Sequence, residues 1–410
     1  MSFEIRTCPP DRFAEMLKAA EVAFAEDISD DTIQRVQKVS QPERFVCAMD
    51  GGRFVATGGV FGIGLSVPGG ELPAGGVSWI TVMPSHRRRG ILRAMMRLMI
   101  DDCRARNEPI AILWASEGAI YQRFGYGLAT VTANLDADKA SSGYARVWPA
   151  EGQVRLIPAG EGMDLVRPVY EAVRRERAGF LSRTPDWWVG QLPLADKDAK
   201  GGEARRLAVF ETDAGVEAYA IYKAKAEWDR RGPGGSVTVE EAIGRTPLGT
   251  REIWRFLFDF DLMRTLRAGR LPLDHPVLYL AAEPRRLGIT IGDGLWLRIV
   301  EVKTALEGRT YGIDGLAGGR LTIELGDDYC PWNAGRWTLE VRDGRAAVSA
   351  ATAPADIALD ANDLGALYLG GVKAIALAQT GRVRELRAGG VAAADRLFPT
   401  ALAPWCPQEF

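Results

Sequence analysis

The stretch from Val77 to Gly127 limits the folds open to this 410-residue chain more than any other part of it. Val77–Val82 and Ile110–Trp114 are short, nearly all apolar runs, the pattern of strands in the middle of a sheet. Between them, Ile91, Leu92, Met95, Met96 and Met99 form an apolar helical stripe, with Arg93, Arg97 and Asp101 four apart on the opposite face. Strand, helix and strand make one right-handed crossover, hence an α/β (α+β) fold class. The helix opens at Gly90, directly after Arg87, Arg88 and Arg89. The positive end of a helix dipole disfavours cations. Three arginines there make sense if something anionic binds the free backbone N–H groups of Arg88 to Leu92. The competing reading is a basic surface turn.

The bulk of the chain makes that cluster a local feature. Net charge is −2, so there is no general case for nucleic acid or an anionic membrane surface. No apolar run reaches about 18 residues, so no membrane span is expected. Cys8, Cys47, Cys103, Cys330 and Cys406 include no CxxC pair, and the histidines are His86 and His275 alone. Zinc sites, disulfide frameworks and histidine triads have little to work with, and no metal is expected. Met1-Ser-Phe-Glu-Ile-Arg lacks the order of a signal peptide, which makes the cytoplasm the expected location.

At roughly 150 residues per domain, the length suggests two or three domains. Before the crossover, Asp11–Phe24 and Asp31–Val39 read as helices, and Glu43–Met49 and Arg53–Ile63 as a hairpin closed by Asp50-Gly51-Gly52. Asp136–Gly143 is polar and reads as a linker. Beyond it come strands at Arg206–Glu211, Glu217–Lys225 and Ser236–Ala242, a long helix over Thr250–Leu266 and a strand at Val277–Leu280. That order loosely echoes the first domain without its arginine–glycine helix start, so no second phosphate site is expected. From Gly294 onward Leu295–Val302, Arg320–Leu325, Arg336–Val341 and Ala346–Ala350 read as strands with Gly- and Asp-rich turns. The expected domains are 1–137, 138–290 and 291–410.

Several residues outside the crossover attract attention. Glu26, Asp27, Asp30 and Asp31 form an acidic cluster, either solvated surface or a wall that attracts cationic amines, to which Glu409 could add. Ser116 and Glu117 follow the second strand and either contact a ligand or cap the next helix. His86 and Tyr126 read as structural. The ending Ala403-Pro-Trp-Cys-Pro-Gln-Glu-Phe410 is apolar for a terminus and is expected to pack.

Arg87-Arg-Arg-Gly-Ile-Leu92 resembles the phosphate loop of the GNAT superfamily of N-acetyltransferases, with Leu92 where a Gly or Ala is usual. Tyr121-Gln-Arg-Phe-Gly-Tyr126 sits where that superfamily carries its tyrosine loop. Three longer matches narrow the resemblance: His86-Arg-Arg-Arg-Gly-Ile-Leu-Arg-Ala-Met-Met96, Ala115-Ser-Glu-Gly-Ala-Ile-Tyr-Gln-Arg-Phe-Gly-Tyr-Gly127, and Pro404-Trp-Cys-x-x-Glu-Phe410. Together they resemble the enhanced-intracellular-survival (Eis) acetyltransferases.

The resemblance implies an N-terminal GNAT fold holding acetyl-CoA, a degenerate second GNAT-like domain and a C-terminal domain similar to sterol carrier proteins. The backbone of Ile80, Thr81 and Val82 would pair with the pantetheine arm. Arg87–Arg93, that is Arg87, Arg88, Arg89, Gly90, Ile91, Leu92 and Arg93, would hold the diphosphate, with Ser116 and Glu117 nearby. Tyr121 would be the general acid, and the carboxylate of Phe410 the general base. Glu26, Asp27 and Glu409 would hold a small cationic amine. The implied activity is acetylation of aminoglycosides or other polyamines by a homohexamer. Acetylation of protein lysines, and a non-catalytic CoA- or lipid-binding scaffold, are the competing readings.

Overall fold

The computed structural model describes residues 3–24, 28–138, 143–146, 148–149, 151–158, 160–191, 204–230 and 232–410. The chain divides into two compact units. One comprises Met1–Thr130, Gly294–Pro404 and Glu409–Phe410; the other comprises Val131–Asp293 and Trp405–Gln408.

The first unit is built on a seven-stranded sheet. Its order is β1 (Glu4–Thr7), β2 (Phe45–Asp50), β3 (Arg53–Val67), β4 (Gly70–Val82), β5 (Ile110–Trp114), the strand Leu295–Ile299, and β6 (Gly127–Leu128). Neighbours are antiparallel except β4 and β5, which run parallel. The turn between β2 and β3 places Gly51 and Gly52 at φ +56° and +79°, the left-handed pair that matches strand twist in a tight hairpin. β5 is buried from Ile110 to Leu113, as a central strand must be.

Helices α1 (Phe13–Phe24), α2 (Asp30–Val39), α3 (Ile91–Ala105) and the short α4 (Gly118–Tyr121) accompany this sheet. α3 buries Ile91, Met95, Met96, Met99, Ile100 and Cys103, the apolar stripe expected of a helix laid on a sheet. Its far end is tied down by the buried Arg44, which bonds Asp102 at 2.8 Å and Glu108 at 2.6 and 2.7 Å.

Leu295–Ile299 reads locally like the strands that follow it. It pairs instead with β5, Leu295 opposite Trp114 through Ile299 opposite Ile110. The later strands form a separate five-stranded sheet in the order Arg345–Ala350, Gly335–Arg342, Gly319–Gly326, Ile357–Asp360, Arg384–Glu385. Helices Ala374–Gln379 and Gly390–Leu397 accompany it, while Ala361–Tyr368 packs closely on the first sheet, where a Cβ on Gly365 would lie 2.2 Å from Leu297 O.

The second unit has its own seven-stranded sheet, ordered Thr290–Asp293, Val131–Asp138, Met263–Pro272, Gly235–Gly244, Gly215–Lys225, Arg206–Thr212, Gln153–Ile157. Read from the other end, it repeats the first sheet: antiparallel neighbours throughout except one parallel pair, Gly235–Gly244 with Met263–Pro272, joined through helix Pro247–Phe258. Three local readings need correction. Asp136–Asp138 is strand, because it pairs with Thr265–Arg267; residues 139–142 of the expected linker lie outside the described residues. The expected helix over Thr250–Leu266 spans Pro247–Phe258, and the chain turns at Leu262, φ +64°, into the next strand. Val277–Leu280 is a helical turn capped by Pro276; a short apolar run carries no period that separates strand from helix.

The apolar tail packs. Trp405 donates its backbone N–H to Ala178 O at 2.8 Å and its indole N–H to Arg270 O at 2.6 Å. Its ring meets Phe180 edge-on at 5.1 Å. Arg183, buried with Glu241, donates to Gln408 Oε1 at 2.5 Å.

Candidate active site

β4 and β5 pair only through Ala74–Ile110, Gly75–Ala111 and Gly76–Ile112. Past Gly76, β4 continues to Val82 paired with β3 alone, Thr81 opposite Thr57 and Val82 opposite Ala56. The Met83 N–H bonds Val55 O at 2.9 Å. Antiparallel alternation then turns the N–H and C=O groups of Ile80 and Val82 away from β3, toward the opening. The cleft there encloses ≈ 710 Å³, within the range of small-molecule sites. Ile80, Thr81 and Val82 line one wall.

At the mouth of the cleft the loop before α3 bends twice into left-handed backbone, at Arg88 (φ +63°) and Gly90 (φ +81°). Such a curl gathers N–H groups into an anion-binding concavity. Gly90 is the N-cap and offers no capping side chain. The first bond of the helix runs from Ala94 N to Gly90 O, so the N–H groups of Ile91, Leu92 and Arg93 have no partner within the helix. Arg87, Arg88, Gly90, Ile91, Leu92 and Arg93 line the cleft; Arg89 is exposed and does not. Arg87 Nε also reaches Val82 O at 3.3 Å. His86 bridges Asp50 and Ser85, at 3.1 and 2.8 Å, and so fixes the turn. This donor set fits a diphosphate.

The opposite wall is the tyrosine loop. Ser116 and Glu117 are exposed at its start and line the cleft; Glu117 is the N-cap of α4 but makes no side-chain capping bond. Tyr121 lines the cleft and is buried, and its pKa is pushed up to about 12, first by burial and then by the Glu117 carboxylate. Tyr126 lies behind it at 6.2 Å between ring centroids, fully buried. Its hydroxyl has no hydrogen-bond partner among the described residues, and burial pushes its pKa well up.

What holds this loop comes from far along the chain. Arg298, on the strand beside β5, is wholly buried; it donates to Phe124 O at 2.6 Å and to both oxygens of Asp327 at 2.8 and 2.6 Å. Gly125 sits at φ +80°, and a Cβ there would lie 1.4 Å from the Arg298 guanidinium. Tyr329 packs on Phe124 and donates its hydroxyl to Arg93 O at 2.8 Å, so one short segment braces both the loop and α3. The only sequence signal for Arg298 is a charge inside the apolar run Leu-Trp-Leu-Arg-Ile-Val.

Where β4 and β5 part, Ser78 Oγ donates to the main-chain oxygen of Phe410 at 2.8 Å. The Phe410 ring covers Gly76, where a Cβ would come within 2.9 Å of it. Glu409 is exposed. Glu26 and Asp27 lie outside the described residues, just after Ala23 and Phe24, which line the cleft. Asp30 and Asp31 pair with Lys18 and Arg35 on the surface.

The matching helix start in the second unit is built differently. Thr246 Oγ1 accepts the Gly249 N–H at 3.0 Å. Pro247 has no N–H to offer, and Arg245 is bonded to Glu217 at 2.7 Å. Donors that stay open before α3 are absent or spent here. Among the described residues no helix is long and apolar enough to cross a membrane.

Comparison with known proteins agrees with this geometry. Family models described as acetyltransferase (GNAT) domains match residues 4–129 and 179–299, and a sterol carrier protein domain matches 302–407. An uncharacterized N-acetyltransferase of Streptomyces avermitilis is 39% identical over 383 residues, 91% of each chain. The N-acetyltransferase Eis of Mycobacterium tuberculosis is 34% identical over 326 residues, 78% of this chain and 77% of that protein. The crystal structure of Eis1 from Mycobacterium abscessus matches with a TM-score of 0.83 at 27% identity, over 99% of this chain and 100% of that one. A GCN5-related N-acetyltransferase from Anabaena variabilis shares the fold, with a TM-score of 0.85 at 19% identity over 100% of both chains.

Proposed function

This chain belongs to the Eis-type, acetyl-CoA-dependent N-acetyltransferases of the GNAT superfamily, and from that membership we propose that it acetylates primary amines of aminoglycosides or other polyamines, at more than one position where the acceptor offers several. The observation that carries this reading is the parted β4–β5 pair, with a diphosphate-type donor set at one end of the cleft and Ser78 bonded to Phe410 where the strands separate.

In this mechanism Gly90 and the N–H groups of Ile91 to Arg93, with Arg87, Arg88 and Arg93 around them, hold the diphosphate. The pantetheine arm lies along Ile80–Val82, beside Ser116 and Glu117. The acceptor arrives as an ammonium, drawn by Glu26, Asp27 and Glu409. It loses a proton to the Phe410 carboxylate through water, because a carboxyl of pKa about 3.5 is a weak base in direct transfer. The free amine attacks the thioester carbon, and backbone N–H groups of β4 stabilise the oxyanion. The C–N bond forms, the C–S bond breaks, and Tyr121 protonates the departing sulfur.

Tyr121 keeps its proton at neutral pH, since burial pushes its pKa up to about 12. Stepwise transfer to a thiolate of pKa about 8.5 would then be uphill by roughly 5 kcal/mol. Transfer concerted with C–S cleavage avoids that ascent. The same reading has the chain working as a homohexamer in the cytoplasm. Incubating the enzyme and acetyl-CoA with aminoglycosides, linear polyamines and lysine peptides, read by mass spectrometry, tests the acceptor class. Modification of the peptides alone would replace small amines by protein lysines; no transfer to any amine would leave a binding scaffold.

A further inference from the structure

The least regular backbone in the cleft wall is the middle of β4. Its register with β3 runs Val82 opposite Ala56 and Thr81 opposite Thr57, then jumps to Ser78 opposite Gly59. Gly58 therefore faces both Trp79 and Ile80, a β-bulge. Trp79 takes φ +58°, a left-handed conformation that a bulky residue keeps only when its surroundings impose it.

Two contacts impose it. Thr57, 1% exposed, donates its hydroxyl proton to Trp79 O at 2.8 Å. Bulging takes that carbonyl out of regular pairing, and Thr57 supplies the missing donor. Thr57 Oγ1 also lies 2.7 Å from Thr81 Oγ1. A hydroxyl has one proton to give; with Thr57's spent on Trp79, Thr81 is the donor of that second bond. Across the strand, a Cβ on Gly58 would lie 2.7 Å from Ile80 Cδ1, so the missing side chain is what seats Ile80.

The bulge decides which N–H groups face the cleft. Alternation along β4 counts residues, and the extra residue resets the count between Ser78 and Ile80. Above it, Ile80 lines the cleft with its N–H turned away from β3. Thr57 itself does not line the cleft.

We propose that Thr57 is a positioning residue for the acetyl transfer: through the Trp79 carbonyl, its hydroxyl fixes the bulge that aims the Ile80 N–H at the thioester oxygen. This rests on acetyl-CoA binding in the cleft. Removing the hydroxyl leaves the ligand's phosphate and pantetheine contacts in place and loosens only the donor that matters in the transition state.

The test uses the full chain with Thr57→Val and Thr57→Ser. Acetyl-CoA affinity is read by calorimetry, and kcat and KM with a polyamine that the parent acetylates. Thr57→Val should lose about 10²-fold in kcat, the scale of a small misplacement at a reacting centre, with acetyl-CoA affinity unchanged. Thr57→Ser should recover most of the loss. If melting curves show Thr57→Val unfolded, Thr57→Ala carries the same expectation. Parent-like kcat without the hydroxyl overturns the proposal while leaving the acetyltransferase reading intact. So does a loss shared equally by Thr57→Val and Thr57→Ser, or one confined to acetyl-CoA affinity. A parent that binds no acetyl-CoA would overturn both.

Discussion

Ser78 Oγ and the main-chain oxygen of Phe410 lie 2.8 Å apart although 332 residues separate them in the chain. The bond sits where β4 leaves β5, and the Phe410 ring closes over Gly76 beside it. Trp405–Gln408 belong to the second unit and Glu409–Phe410 to the first. Packing of Trp405 can offset the entropy of ordering the tail, about 1–2 kcal/mol per residue.

If the Phe410 carboxylate is the base, moving it should be severe. A C-terminal extension keeps the phenylalanine ring and carries the charge away. Turnover should collapse with acetyl-CoA binding and the melt retained. Ser78→Ala keeps the carboxylate but frees it, and should cost about tenfold in kcat, the worth of one hydrogen bond. Full activity of a tagged enzyme, its tag verified intact by mass spectrometry, would refute the role.

Tyr121 and Tyr126 should separate cleanly. Tyr121→Phe should lower kcat by roughly 10²–10⁴-fold, the usual worth of general acid–base catalysis, with acetyl-CoA affinity kept. Tyr126 buries a hydroxyl without a partner among the described residues, and removing an unsatisfied buried group is neutral or stabilising. Tyr126→Phe should therefore melt no lower than the parent and keep most of its turnover. The pH profile offers a second check. A general acid must be protonated, and burial pushes Tyr121 up to about 12. Any alkaline loss of kcat due to Tyr121 should thus lie above the ordinary tyrosine value near 10. A larger loss in Tyr126→Phe would reverse the assignment.

The parts of this site that could be read from sequence are those whose chemistry and local pattern share one stretch. Gly90 after three arginines breaks the dipole rule, and the structure answers with left-handed backbone at Arg88 and Gly90. Tyr121 follows a buried strand closely enough to be read with it as one stretch, although what holds the loop lies elsewhere. The misses are long-range. Arg298 reaches the tyrosine loop through Phe124 O, and no periodicity around residue 298 names a partner 174 positions earlier. Leu295–Ile299 is apolar enough for any central position, so its pairing with β5 is invisible until the sheet is assembled. The bulge at Trp79 leaves no local mark either, because Thr57 and Gly58 make it from the neighbouring strand.

Gly90 should tolerate little. A Cβ there would meet nothing within 4 Å, so space is not the constraint. Backbone conformation is, at φ +81°, together with the charge of what binds there. Gly90→Ala should weaken acetyl-CoA binding modestly, through the strained backbone. Gly90→Asp adds a carboxylate that repels a diphosphate and caps the helix itself, and should abolish binding by calorimetry with the melt nearly intact. Equal affinity in Gly90→Asp and the parent would remove the loop from the site.

His275 makes the pH dependence of the second unit testable. Its ring is fully buried, between Trp254 at 5.1 Å and Trp405 at 6.2 Å, and its Nδ1 accepts the Val277 N–H at 3.2 Å. Burial, aided by the nearby Arg177 guanidinium, pushes its pKa down to about 3. The folded chain therefore holds a neutral imidazole where the unfolded chain takes up a proton near the ordinary value of 6.5. Stability from this residue is complete above about pH 6.5 and declines as pH falls toward 3, by up to roughly 1.4 kcal/mol per pH unit. His275→Asn keeps an acceptor for Val277 and cannot titrate. At neutral pH the variant should be somewhat less stable, having lost packing against both tryptophans. Between about pH 7 and pH 5 the parent should lose stability faster, so that the gap narrows or inverts. Other groups titrate in both proteins and cancel in the difference. Parallel denaturation midpoints across that range would show that His275 takes up its proton in the folded chain as readily as in the unfolded one.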